Sequence, residues 1–297
     1  MRARRIRGRG QACYHVMSRI VDRMPRMGEE EKGRFLDLMR ACGEFAGVEV
    51  HTYALMDNHF HILLQDPGGE PPDEAEVLRR MRALYAPAEV RERQAQWAAW
   101  RAEGRPDLTE ADLDALRARM GDVSEYMKTL KQRFTQWYNR RHRRKGTLWE
   151  ERFRSVLVED GDAFRIVAAY IEHNPVRAGL VERPEEYRWC GRWRTERILD
   201  GPDPLPSRSM EEITQSLADG DRLSLPDLLA CRVRHLTDGV VFGTREFVED
   251  TLRTANPGRD SAPRSRILPL PATGLGNLFA GRRLRGPTLI PSDPVPV

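Results

Sequence analysis

The sequence predicts an α+β fold of the ferredoxin-like (RRM-like) kind, an antiparallel sheet with helices on one face. Three observations lead there. Residues 11–19 alternate apolar and polar side chains and 48–55 and 60–64 also read as strands, residues 29–46 and 124–143 repeat apolar side chains every three or four positions, and the order is strand, helix, strand, strand, helix, strand.

The first strand, QACYHVMSR at 11–19, sets Tyr14 and Val16 among polar neighbours and follows a basic arm, residues 1–10, with Arg2, Arg4, Arg5, Arg7 and Arg9. His15 reads as an ordinary strand residue. Phe35, Leu38, Met39, Cys42 and Phe45 form the stripe of the first helix, which Gly47 ends. Residues 48–55 and 60–64 are strands joined by Met56, Asp57 and Asn58, which suit a hairpin turn. The PGGEPP segment at 67–72 then breaks the pattern, and 73–122 reads as a charged helical insertion anchored by Trp97 and Trp100.

The second main helix, 124–143, carries Tyr126, Leu130, Phe134 and Trp137 or Tyr138 on its stripe. Residues 147–158 read as the last strand of the set, following a turn at Gly146. Asp160 or Asp162 caps a helix through Phe164, Ile166, Val167, Tyr170 and Ile171, and Pro175 stops it near Asn174. The principal domain is thus 11–195. Beyond Pro202, Pro204 and Pro206 a small helical accessory region, 207–255, has a turn at Asp238-Gly239 and a cap at Thr244. Residues 256–297, rich in proline, glycine and arginine, are expected to be a mobile tail.

Composition narrows the function classes. Charged residues are 32% of the 297 positions and mean hydropathy is −0.62, so a heavily ionised surface is expected. No apolar run approaches the roughly 20 residues of a membrane span, and no apolar stretch follows the arginine arm to make a secretory signal. A cytoplasmic location is expected. Cys13, Cys42, Cys190 and Cys231 show no C-x-x-C spacing, which argues for buried thiols over a zinc knuckle or a disulfide scaffold.

The net charge of +4 is unevenly spread: residues 128–154 hold ten Lys or Arg against two acids, Glu150 and Glu151. Phe134, Trp137, Tyr138, Trp149 and Phe153 are interleaved with them. Cations of one sign mixed with aromatic rings suit a polyanion with exposed bases, because the cations release counterions from phosphates while the rings stack. Arg19, Lys131, Arg133, Arg140, Arg141, Arg143, Arg144, Lys145, Arg152 and Arg154 are therefore the expected nucleic-acid contacts.

Within YALMDNHFHILLQ, His59 and His61 are two residues apart. On a strand they share one face while Phe60 and Ile62 turn to the core. Two neutral imidazoles on a rigid face supply half of a small coordination shell. Downstream, Tyr170 and Asn174 are four residues apart, stacked on one helical face. The carboxamide oxygen of Asn174 is a fair ligand for a hard divalent cation, and with His59 and His61 it makes a three-ligand shell open to phosphate oxygens. Mg²⁺ or Mn²⁺ is the expected ion, and a tyrosine hydroxyl beside it is a candidate nucleophile for phosphoryl transfer. Two other readings compete: a binding module with vestigial histidines, and a metallohydrolase using Asp57 or Glu172 with Tyr170 in the core. Tyr138 is the reserve nucleophile.

Four ordered blocks, YHVMSR, MDNHFHILL, GTLWEERFRS and YIEHNPVRAGL, resemble the REP-associated tyrosine transposases, within the single-tyrosine, His-hydrophobe-His (HUH) insertion-sequence transposases. The resemblance frames residues 11 to about 195. It implies that His59, His61 and Asn174 hold the metal and that Tyr170 forms a 5′-phosphotyrosine. It further implies that the enzyme cuts and rejoins bacterial single-stranded DNA next to a hairpin, with no nucleotide cofactor and no membrane. A second copy of the chain is a compatible partner. The 73–122 insertion is longer than the compact core of that family, and the C-terminal region lies outside the resemblance.

Overall fold

The structure, a computed structural model, describes residues 6–8, 10–191, 234–237, 239–255, 267–269 and 278–281. Its elements begin with β1 (Ala12–Arg19), α1 (Glu29–Ala46), β2 (Glu49–Leu55) and β3 (His59–Asp66). The helices α2 (Glu74–Leu84), α3 (Pro87–Ala102), α4 (Pro106–Arg117) and α5 (Val123–Arg141) follow, then β4 (Arg154–Val158). The strands lie in the order β2-β3-β1-β4 and pair antiparallel, which is the ferredoxin-like arrangement.

Alternation sorts the strand residues between two cores. Tyr14, Val16, Phe60, Ile62 and Leu64 face α1 and α5, where they meet Phe35, Met39, Leu130 and Phe134. All five stripe residues of α1 are buried, and Gly47 closes the helix in the left-handed region, φ 68°, which glycine adopts without a Cβ penalty. Asp122 caps α5 by accepting from the backbone of Ser124 and Glu125, and Arg7 of the N-terminal arm pairs with that carboxylate at 2.7 Å. The insertion is helical as expected: α2 buries Val77 and Met81 in the same core, and Trp97 is buried with Nε1 donating to Asp112 Oδ2 at 2.7 Å.

Three expectations need correction. The strand expected at 147–158 begins only at Arg154, because Trp149 makes no more than an isolated bridge to Ile20. Neither Asp160 nor Asp162 caps α6 (Asp162–Glu172); its N-cap is Gly161, and Asp160 Oδ1 accepts from the Gly161 amide. Pro175 does more than stop that helix, since it sits in the first turn of a short α7 (Asn174–Arg177). Moreover, helices on one face describes only α1 and α5. α6 covers the other face, packing Ile166, Val167, Tyr170 and Ile171 on Cys13, Met17, Leu63 and Val156.

The C-terminal segments join the same sheet. α8 (Arg234–Thr237), β5 (Val241–Thr244), α9 (Arg245–Ala255), β6 (Ile267–Pro269) and β7 (Leu278–Gly281) complete the described elements. β5 pairs parallel with β4, whereas β7 pairs antiparallel with both β5 and β6, giving β2-β3-β1-β4-β5-β7-β6. The region read as helical therefore contributes a strand, and the stretch read as a mobile tail contributes two. Thr244 does cap α9, its hydroxyl accepting from the Phe247 amide at 3.3 Å. Residues 192–233, Asp238, Cys231 and the arginines at 2, 4, 5 and 9 lie outside the described residues. Cys13, Cys42 and Cys190 are buried and form no disulfide among the described residues. Among the described residues no helix is long and apolar enough to cross a membrane.

Phe242 on β5 is fully buried against the α6 layer. Phe242→Ala should therefore lower the unfolding free energy of the whole sheet by about 3–5 kcal/mol, measured as one shifted denaturation transition. A separate early transition that leaves the main one in place would show that β5 is not part of this cooperative unit.

Candidate functional site

The site is built on the α6 face of the sheet. Register places it: Arg19 pairs with His59, Met17 with His61 and His15 with Leu63, while Met17 also pairs with Arg154. Residues directly opposite in an antiparallel pair share a face, so His15, His59, His61, Arg19 and Arg154 project together. Phe60 and Ile62 go the other way, as expected.

The two expected ligands are close and differently exposed. Their rings are 5.3 Å apart, nearly perpendicular at 84°; His61 is buried and His59 half-buried. His59 Nδ1 lies 2.7 Å from Asn58 Oδ1, and Asn58 is itself oriented because Nδ2 donates to the Arg23 carbonyl at 2.8 Å. His61 Nδ1 lies 2.9 Å from Nε2 of His15, and His15 Nδ1 lies 3.0 Å from the Leu236 carbonyl of α8. Burial pushes the His15 imidazole down to about 4, only partly offset by the bond to Leu236. His59 is pushed to about 4 by burial and the charge of Arg19, against the pull of Asp57. His61 is held well below the usual value by burial first, then by His15, His59, Arg19 and Arg177. All three rings are neutral at pH 7.

α6 delivers Tyr170 to the same place. Its ring stands edge-on to His61, centroids 5.7 Å apart at 90°, and 5.9 Å from His15, with the Arg177 guanidinium over it at 5.5 Å. Burial raises the phenol above its ordinary value, while Arg177 and a hydrogen bond from Asn174 pull it down. The carboxamide of Asn174 turns Nδ2 onto the carbonyls of Tyr170 at 2.9 Å and Ile171 at 3.4 Å, so Oδ1 is its acceptor end.

Among the described residues no three His, Cys, Asp or Glu side chains group to hold a metal ion. Asp57 pairs with Lys32 at 2.6 Å and Glu172 accepts from Thr52 at 2.7 Å, each through one oxygen of its carboxylate. The donors that do fit a cation are the neutral Nε2 atoms of His59 and His61, whose Nδ1 atoms are occupied by outer partners.

The basic run divides. Arg19 and Arg154 share the histidine face, Arg154 in a pair with Glu151 at 2.8 Å. Lys131 is spent internally: its amine donates to Ser18 Oγ at 2.7 Å and the Glu151 carbonyl at 2.8 Å, and burial lowers it to about 8. Arg133 lies over Tyr85, Arg141 pairs with Glu30, and Arg144 is half-buried beside Asn139. Arg140, Arg143, Lys145 and Arg152 are exposed. Tyr138 is buried in the α1/α5 core, stacked on His142 at 4.2 Å, and does not join the histidines. Sequence reasoning missed His15, Arg177, Leu236 and the outer role of Asn58.

No protein-family model and no curated protein matches this sequence. Among solved structures, the chain is similar to a REP-associated tyrosine transposase bound to a REP hairpin, with 13% identity and a TM-score of 0.45 over 68% of this chain and 89% of that one.

The depressed imidazoles predict an acid-sensitive protein. His15 and His59 titrate near 4 when folded against about 6.5 unfolded, so between those values the unfolded chain binds more protons. Stability should therefore be lost as pH falls from about 6.5 toward 4, by about 1.4 kcal/mol per pH unit for each of the two. Denaturant midpoints of the metal-free protein read this directly; midpoints that stay level through the window would contradict the neutral assignment.

Proposed function

We propose that the protein is a metal-dependent, single-strand DNA endonuclease and strand transferase of the transposase type, cutting beside a hairpin through a 5′-phosphotyrosine on Tyr170. The observation that carries this reading is the edge-on contact of the Tyr170 ring with His61, on the one face where His59 and His61 project together. The four sequence blocks support it by position: they fall on β1, on the turn and strand of β3, on the segment entering β4, and on α6 with α7. Every block thus borders this site.

Nε2 of His59, Nε2 of His61 and Oδ1 of Asn174 would hold Mg²⁺ or Mn²⁺. Such an ion, when bound, withdraws charge from the scissile phosphate and from the departing 3′ oxygen. The remaining work falls to the chain. A phenol is ordinarily protonated at neutral pH and burial raises that of Tyr170 further, so it loses its proton to solvent as its oxygen bonds to phosphorus. The P–O3′ bond breaks, its electron pair goes to the 3′ oxygen, and that oxygen takes up a proton. The guanidinium of Arg177, over the ring, favours the phenolate that forms in passing. Rejoining is the reverse: a 3′ hydroxyl attacks the phosphotyrosine and releases the phenol. The bond energy is conserved, so no nucleotide is consumed.

Arg19 and Arg154 beside the histidines, and the exposed Arg140, Arg143, Lys145 and Arg152, are the cations available to a phosphate backbone. The partner is single-stranded DNA folded into a repeat-type hairpin, in the bacterial nucleoid.

Tyr170→Phe should retain hairpin binding and lose the covalent protein–DNA adduct on denaturing gels with Mn²⁺, whereas Tyr138→Phe should keep the adduct. An adduct that persists in Tyr170→Phe would remove Tyr170 from the reaction.

A further inference from the structure

We infer that His15 is the positioning residue of the site: with the Leu236 carbonyl it forms a two-bond relay that fixes the proton of His61 on Nδ1 and leaves the Nε2 lone pair to face the reacting groups. The inference rests on the metal role proposed for His61. It also assigns the C-terminal region a part in the site, since Leu236 belongs to α8, well outside the four sequence blocks.

The argument uses only what each group can do. A carbonyl can accept and never donate, so at 3.0 Å from Leu236 O the His15 Nδ1 must carry hydrogen. His15 is fully buried, and among the described residues no carboxylate bonds to it. A second proton would be an uncompensated buried charge. Nε2 of His15 is therefore a bare acceptor, and the 2.9 Å contact to His61 Nδ1 requires the hydrogen to be on His61. His61 is buried as well and, among the described residues, bonded to no acid, so its single proton is used there and Nε2 keeps its lone pair.

His59 reaches the same tautomer by a separate route, which makes the pattern more than a coincidence of one ring. The Arg23 carbonyl takes a hydrogen from Asn58 Nδ2, which fixes Oδ1 toward His59; Oδ1 can only accept, so His59 Nδ1 donates to it. Each relay ends on a backbone carbonyl, Leu236 O or Arg23 O, and each leaves Nε2 free. A ligand imidazole whose other nitrogen is tied down loses little orientational freedom on binding and gains basicity.

The test is two measurements on the full-length protein. Two-bond ¹H–¹⁵N correlation spectra of the metal-free wild type, with His61 assigned by its loss in His61→Gln, should show His61 protonated on Nδ1. His15→Phe keeps the bulk and removes the acceptor; His61 should then shift toward the Nε2–H form, and Mn²⁺ affinity should fall about 10–100-fold. His15→Gln, whose Oε1 falls near the lost Nε2, should restore most of both. A wild-type spectrum with His61 protonated on Nε2 overturns the relay without any variant having to fold. So does unchanged Mn²⁺ affinity in His15→Phe. Wild-type protein with the inferred tautomer but no Mn²⁺ binding overturns the metal assignment of the proposed function, and the role of the relay with it.

Discussion

Pairing of β1 with β3 sets what every other part of the site can do. With Arg19 opposite His59 and Met17 opposite His61, the imidazoles of His15, His59 and His61 all project to the face that α6 covers. A slip of one residue would turn either strand's set into the α1/α5 layer and bring Phe60 and Ile62 out against α6. That slip is opposed by two cores at once, since Phe60 and Ile62 are fully buried on one side and Leu63 on the other. The geometry of the candidate site is thus specified by packing that has no chemical role. The bond from the Ile20 amide to the Asn58 carbonyl at 2.8 Å continues the pairing past the strand ends. It holds the turn from which Asn58 reaches His59, while Arg23, at φ 55°, presents its carbonyl from a left-handed backbone conformation.

The electrostatics follow from burial. Three imidazoles and a phenol sit together with no carboxylate bonded to any of them among the described residues, and each is held neutral. Positive charge surrounds this neutral cluster, from Arg19 on β1 and Arg177 on α7. Such an environment disfavours additional protons, keeps nitrogen lone pairs available and suits a dianionic or developing negative charge. A hydrolytic centre built around an acid would need the opposite balance. Asp57 and Glu172, the acids nearest in sequence, are instead turned to Lys32 and Thr52.

Local pattern was legible in the sequence, and long-range register was not. The stripe of α1, its glycine stop, the shared face of His59 and His61, the helical insertion and the Thr244 cap each depend on residues within a few positions of one another. His15 read as a plain strand residue because its partners, His61 and Leu236, are 46 and 221 residues away. β5, β6 and β7 have three or four residues each, too few alternations to reveal a period, and they are strands because β4 offers an edge. The basic run read as one surface, but Lys131 lies at a helix position facing Ser18 while Arg154 starts a strand on the other face. Composition cannot make that division.

The central claim is that two imidazoles hold one ion whose bound phosphate faces the Tyr170 phenol, and anomalous diffraction from crystals grown with Mn²⁺ and a hairpin oligonucleotide tests it directly. The account predicts one manganese peak bonded to Nε2 of both His59 and His61, with the Tyr170 hydroxyl facing the phosphate bound to it. A manganese peak bonded elsewhere on the chain, or one held through Nδ1 of either ring, would contradict it.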